Sequence, residues 1–153
     1  MKKSYIFIPL VTLLVAIGGS MLTNLGMSWY ATLVLNPATP AWSFIGTART
    51  LIFIYTMCSA LYFRKNFPRG KKFTTIARLF IANAVLNVWW SLIFFVGHFV
   101  LFSIIEMIVL WIVTFLLFIL MYRKAKISSW LLLPYLIWVI VATYLAYQVL
   151  ILN

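Results

Sequence analysis

Acidic residues are almost missing from this chain: there is no aspartate and a single glutamate, Glu106. Histidine and cysteine are as scarce, one each, His98 and Cys58. One acid and one imidazole leave little for general acid–base catalysis. Nor is there a metal-ligand cluster, a nucleophile triad or a phosphate-binding glycine loop, so an enzyme is not the expected reading. A lone cysteine forms no internal disulfide and says nothing of redox compartment. Cys58 sits in an apolar run and reads as a small core residue. Charged residues of either sign make up only 8% of the 153, while 66% are apolar. A soluble domain cannot hide that much apolar surface, which places the chain in the membrane class. Its length fits one bundle, residues 1–153, with no room for a separate soluble domain.

What charge there is has one sign: twelve Lys and Arg against Glu106 give a formal +11. These residues are confined to short connections between apolar spans. That points to topology and anionic headgroups, and not to nucleic acid as a partner.

A helix needs about 20 apolar residues to cross hydrocarbon. Five stretches qualify: Tyr5 to Met27, Trp42 to Phe63, Thr74 to Val96, Phe99 to Tyr122, and Trp130 to Leu152. Strands would leave unpaired backbone in lipid. The expected fold is therefore an all-α integral membrane bundle of five helices. The first span follows Lys2 and Lys3 but is too long for a cleaved signal peptide and lacks a small-x-small site, so it reads as retained. Basic residues gather at the amino end, in the second connection (Arg64, Lys65, Arg69, Lys71, Lys72, with Arg78 beyond) and in the fourth (Arg123, Lys124, Lys126). Spans alternate sides, so these all share one side. The positive-inside rule puts the amino end in and the carboxyl end out. The long connection Ser28 to Ala41 is of the kind that forms lids or binding loops. No repeat is evident, against the common repeat-built transporters.

Polar residues within spans are costly and face an interior or a cavity. Asn83 and Asn87 lie one turn apart on the third span, and Trp90 and Phe94 continue the stripe. This face serves either interhelical hydrogen bonding or a pocket wall of amides above an aromatic floor; both readings stand. Arg49 and Glu106 each lie about seven residues, ~10 Å, below the end away from the basic connections. An unpaired charge at that depth is expensive, so they are expected to pair, directly or across a cavity. Such a pair is either structural or a ligand anchor, with Arg49 meeting a carboxylate. On the fifth span Pro134, Trp138 and Ala142 share a stripe where a prolyl kink shapes a cavity or ordinary packing occurs. Trp29, Trp42 and Trp130 lie near span ends, where an aromatic belt is the default. His98, in a short turn, has the chemistry of an axial haem ligand, though a loop histidine is more commonly solvated.

These residues carry a resemblance. Asn83-Ala84-Val85-Leu86-Asn87-Val88-Trp89-Trp90-Ser91-Leu92-Ile93-Phe94-Phe95 resembles the Asn-x-x-Trp-Ser-x-x-Phe-Phe signature of the TspO/MBR family, the tryptophan-rich sensory proteins and mitochondrial translocator proteins, or peripheral-type benzodiazepine receptors. Leu133-Pro134-Tyr135-Leu136-Ile137-Trp138-Val139, then Ala142-Thr143-Tyr144-Leu145, is similar to that family's closing signature. Trp29-Tyr30-x-x-Leu33 and Thr39-Pro40-Ala41-Trp42 resemble its first-loop segments. The likeness covers nearly the whole chain.

The resemblance implies a five-helix bundle whose first loop lids an interior pocket. It implies binding of tetrapyrroles, protoporphyrin IX or haem, as sensor, carrier or scavenger in stress regulation. Isoquinoline carboxamide and benzodiazepine ligands, sterol binding and a homodimer are implied too. Trp29, Asn83, Asn87, Trp138 and Ala142 are the matching positions; Arg49, Trp90 and Glu106 join them from the reasoning above. No obligatory cofactor is expected, only a tetrapyrrole as ligand.

Three departures qualify this. Arg49 stands about where the family carries a tryptophan associated with light-dependent porphyrin breakdown, so the residue match for that activity is incomplete, while an anionic propionate gains a partner. No Lys or Arg follows Tyr144 or Tyr147, as the family's cholesterol segment requires; Leu120-x-Tyr122-x-Lys124 fits only the loose pattern. The third span holds no Gly-x-x-x-Gly dimer motif. Two further functions compete with ligand binding: a small transporter using Arg49 and Glu106, and photochemical porphyrin degradation by pocket tryptophans. The absence of a targeting extension, with the basic loops, suggests a prokaryotic cytoplasmic membrane.

Overall fold

The computed structural model describes residues 2–153, with side chains from Tyr5 onward. Lys2 and Lys3, counted above among the basic residues of one side, have side chains outside the described residues. The helices are α1 Lys2–Tyr30, α2 Trp42–Asn66, α3 Lys71–Ser91, α4 Val100–Tyr122, α5 Lys126–Leu131 and α6 Leu133–Leu152. A π-helical segment, Leu92–Val96, extends α3, so the chain makes five spans long and apolar enough to cross a membrane. Two adjoining helices, α5 and α6, share the fifth span.

The expected spans are all present but start or end a few residues off. The first runs on to Tyr30, shortening the connection to residues 31–41. The third and fifth begin earlier, at Lys71 and Lys126. Basic side chains at those ends tolerate the extra turns because they reach toward water while the backbone stays helical.

Local chemistry explains the breaks. Gly97 N–H donates to Leu92 O at 2.8 Å, a five-residue step that widens the last turn of the third span. The wider turn buries both Phe94 and Phe95. His98 then adopts φ 57°, a left-handed position that closes the short turn into α4. At the other break, Pro134 has no N–H to give and stands in the first turn of α6, where none is needed. The expected kink is thus a full break at Leu132. Short α5 is anchored by side chains instead: Ser59 and Ser128 exchange hydroxyl-to-carbonyl bonds of 2.7 and 2.9 Å, and Ser129 Oγ donates to Phe118 O at 2.6 Å.

The core lies between α3, α4 and α6, with Ile76, Leu117, Met121 and Leu132 fully enclosed. The outer face of α1 is an exposed apolar stripe, Leu10, Leu14, Ile17, Met21 and Leu25, as a lipid-facing helix requires. Cys58 corrects its expectation: it is exposed on the outside of α2, not packed inside. A span in lipid gains nothing from burying a small apolar side chain, so apolar runs do not separate inner from outer faces.

The α1 helix approaches the π-helical segment most closely at Gly26. A Cβ there would collide with the backbone carbonyl of Phe95, which cannot move aside as a side chain could. At Gly18 a Cβ would meet nothing within 4 Å. Gly26→Ala is therefore expected to lower stability by roughly 1–3 kcal/mol, while Gly18→Ala leaves it unchanged or slightly raised. Thermal unfolding in detergent, followed by circular dichroism, distinguishes the two.

Candidate functional site

A cavity of about 400 Å³ opens beneath the first loop, among α1, α2, α3, the π-helical segment and α6. Loop residues Asn36 and Thr39 line it. The loop is tied down by the chain end: Val34 N–H donates to Asn153 Oδ1 at 2.8 Å, and Asn153 Nδ2 donates back to Val34 O at 3.0 Å. Asn36 Nδ2 adds a bond to Gln148 Oε1 at 3.3 Å. These contacts hold the loop over the α6 side of the cavity.

The wall is largely aromatic. Trp90 stacks on Phe94 at 5.4 Å, Trp42 and Phe95 meet edge to face at 5.9 Å, and Trp138 faces them from α6. The indole Nε1 of Trp90 is buried without a partner.

Arg49 brings the one formal charge to this cavity. Its Nη2 donates to Ser91 Oγ at 2.6 Å and its Nη1 to Thr23 Oγ1 at 3.2 Å. Gly19 leaves room for it, since a Cβ there would lie 2.6 Å from Arg49 Nη2. Phe53 and Trp90 rings lie 5.8 and 5.7 Å from the guanidinium carbon. The expected ion pair is not formed. Both carboxylate oxygens of Glu106 are buried without any hydrogen-bond partner, and Glu106 is absent from the cavity lining. Two hydroxyls and two aromatic faces serve Arg49 in place of an opposite charge.

The asparagine stripe does form, and continues one residue further than expected. Asn83, Asn87 and Ser91 lie at successive four-residue steps on α3. Asn83 Nδ2 donates to Thr114 Oγ1 on α4 at 2.9 Å, Tyr135 OH donates to Asn83 Oδ1 at 3.3 Å, and Asn87 Nδ2 donates to Tyr135 OH. Ser91 Oγ donates to Asn87 O at 3.4 Å. One polar seam therefore runs from Arg49 to Thr114 across four spans.

Five of the anticipated residues line the cavity: Arg49, Asn87, Trp90, Trp138 and Ala142. Three do not. Asn83 is buried behind the wall and faces a second cavity. Trp29 stacks on exposed His98 at 4.2 Å and meets the Phe94 ring edge to face at 5.5 Å; Phe94 lines the cavity, while Trp29 and His98 do not. Glu106 is the third. Cys58, His98 and Glu106 do not come together as a metal-binding group among the described residues. Sequence reasoning passed over Tyr135, Thr23 and Ser91. Spacing could have found them: Tyr135 precedes Trp138 and Ala142 by three and seven, Thr23 follows Ala16 and Ser20 by seven and three, and Ser91 follows Asn87 by four.

The sequence model of the TspO/MBR family matches residues 7–152. The chain belongs to the TspO/MBR family. It is 35% identical over 146 residues to a tryptophan-rich protein TspO of Chlorobaculum tepidum, covering 92% of this chain and 90% of that one. It is 29% identical over 153 residues to a tryptophan-rich protein TspO of Bacillus cereus, covering 100% and 99%. Family membership and the five spans make it an integral membrane protein of the TspO type.

Because the Tyr135 hydroxyl bonds both asparagines, Tyr135→Phe removes two bonds between α6 and α3, while Asn87 Nδ2 keeps its bonds to Asn83 O and Oδ1. The expected loss is about 0.5–2 kcal/mol. Thermal denaturation in detergent measures it; an unchanged midpoint would mean that the seam carries no stability.

Proposed function

We propose that this membrane protein binds a flat, amphipathic, anionic ligand in the first-loop cavity, with a tetrapyrrole such as protoporphyrin IX or haem as the ligand class. It would act as a sensor, carrier or scavenger in stress regulation. One observation carries the reading. A guanidinium held only by neutral hydroxyls stands in an aromatic-walled cavity, and the chain's one acid does not neutralise it. An incoming carboxylate would accept charge-assisted bonds from Arg49. The planar macrocycle would stack among Trp90, Phe94 and Trp138. The volume lies within the ~300–1,000 Å³ of ligand pockets. By the positive-inside rule the amino end faces the cytoplasm, which turns the first loop and its cavity outward.

The test is titration of the detergent-purified protein with protoporphyrin IX, following tryptophan fluorescence. Saturable micromolar binding (on the order of −8 kcal/mol) is expected, weakened by Trp138→Ala and by Asn87→Ala. Arg49→Leu should cost about tenfold or more against the diacid and almost nothing against its uncharged dimethyl ester. Quenching that never saturates, or that ignores all three substitutions, would mean partition into micelles.

A transport reading is favoured by one feature: Phe53, Asn87 and Tyr135 line both this cavity and the second one. Porphyrin flux across liposomes that Tyr135→Phe alters, with first-loop binding intact, would support it over storage or sensing.

A further inference from the structure

The second cavity, about 680 Å³, lies between α1, α2 and α3 toward the basic end of the bundle. Its wall is almost wholly apolar: Phe7, Val11, Phe63, Phe73, Ala77 and Phe80 among others. Along α3 it reaches from Phe73 to Trp89, ~24 Å at 1.5 Å per residue. That exceeds the depth of one leaflet, about half of a ~30 Å core. It is a slot of the length of an acyl tail and not of a compact solute.

Its mouth is charged. Arg64 lines the slot where α2 ends. Lys65, Arg69, Lys71 and Lys72 follow within the next turn and loop. The only acid in the chain, Glu106, lies near the start of α4, at the opposite end of the bundle. No carboxylate of this protein can therefore meet the cluster. Arg69 is spread over the Phe73 ring at 4.0 Å, which sets a cation over an aromatic that itself lines the slot. An apolar slot closed at one end by amides and open at the other beside unneutralised cations matches an anionic phospholipid. The tail would enter between α1 and α3, and the phosphate would lie at Arg64.

We infer that this slot holds one anionic phospholipid as a discrete ligand, distinct from the general attraction of basic loops for a negative surface. The site does not depend on what fills the first-loop cavity.

Native mass spectrometry of the full chain, released from detergent with equal amounts of palmitoyl-oleoyl phosphatidylglycerol and phosphatidylcholine, tests this. The expected result is one retained phosphatidylglycerol per chain, in preference to phosphatidylcholine. Ala77→Trp on α3 and Ala60→Phe on α2 each fill the slot and should abolish the adduct. Arg64→Gln should lower phosphatidylglycerol retention about fivefold and leave phosphatidylcholine unchanged. The two filling substitutions lie on different helices, so misfolding of one, detected by circular dichroism, leaves the other to decide. Equal retention of both lipids by the wild type, no retained lipid, or retention undiminished in a folded slot-filling variant would overturn the inference.

Discussion

Hydrocarbon offers no water to a stray amide or hydroxyl, so a polar side chain buried in this bundle is stabilised by a partner on a neighbouring helix or on its own turn. The seam from Arg49 through Ser91, Asn87, Tyr135 and Asn83 to Thr114 meets that demand and in doing so fixes the bundle. It contributes bonds to α2, α3, α4 and α6, and Thr23 brings in α1. Apolar contacts between spans are little better than contacts with lipid tails, so they do not set register. Hydrogen bonds have direction and do. Interhelical bonds in membranes are worth about 0.6 kcal/mol each on average, yet slipping any of these helices by a turn would break several at once.

The same seam determines where space remains. Apart from Tyr135, whose hydroxyl joins the seam, aromatic side chains gather under the first loop and toward the basic end. Trp90, Phe94 and Trp138 take the first position; Phe63, Phe73 and Phe80 take the second. Two cavities are the result, one charged and aromatic, one long and apolar. Glycine does the opposite at Gly26, where a missing side chain lets α1 touch the backbone of the π-helical segment.

Much of this was legible from the residues because lipid makes simple demands. Five apolar runs of sufficient length give five spans, and the asparagines at 83 and 87 could only share a face. What was not legible depends on geometry between helices. The Arg49–Glu106 pairing rested on equal depth, but depth says nothing of azimuth: Arg49 turns into the first-loop cavity, whose lining does not include Glu106. Cys58 was misplaced for a related reason: lipid-facing and core-facing positions have the same apolar composition. The π-helical turn at residues 92–96 leaves no mark in hydrophobic period, since every residue in it is apolar. Tyr135 was hidden by its neighbours, read as part of a motif centred on Pro134 and Trp138, although its spacing placed it on the cavity face.

The shared wall constrains how the two cavities can communicate. Phe53, Asn87 and Tyr135 face both, so any passage between them must turn the Tyr135 ring away and give up its bonds to Asn83 and Asn87. At about 0.6–1.7 kcal/mol per interhelical bond, that opening costs roughly 1–3 kcal/mol, which corresponds to a minor state of the order of 1–10%. The wall is then firm enough to keep the cavities distinct and cheap enough to open without unfolding the bundle. A ligand shifts this equilibrium only by interacting differently with the open and closed wall. A purely apolar tail has nothing to offer the freed amides and leaves the wall shut. A ligand that carries its own carboxylate or carbonyl to the level of Asn87 would accept from Asn87 Nδ2 in place of the tyrosine hydroxyl, though it has no hydrogen to give Asn83 Oδ1, and so would favour the open form in part. Polarity at the leading edge of the ligand, more than its size, would therefore decide between retention and passage.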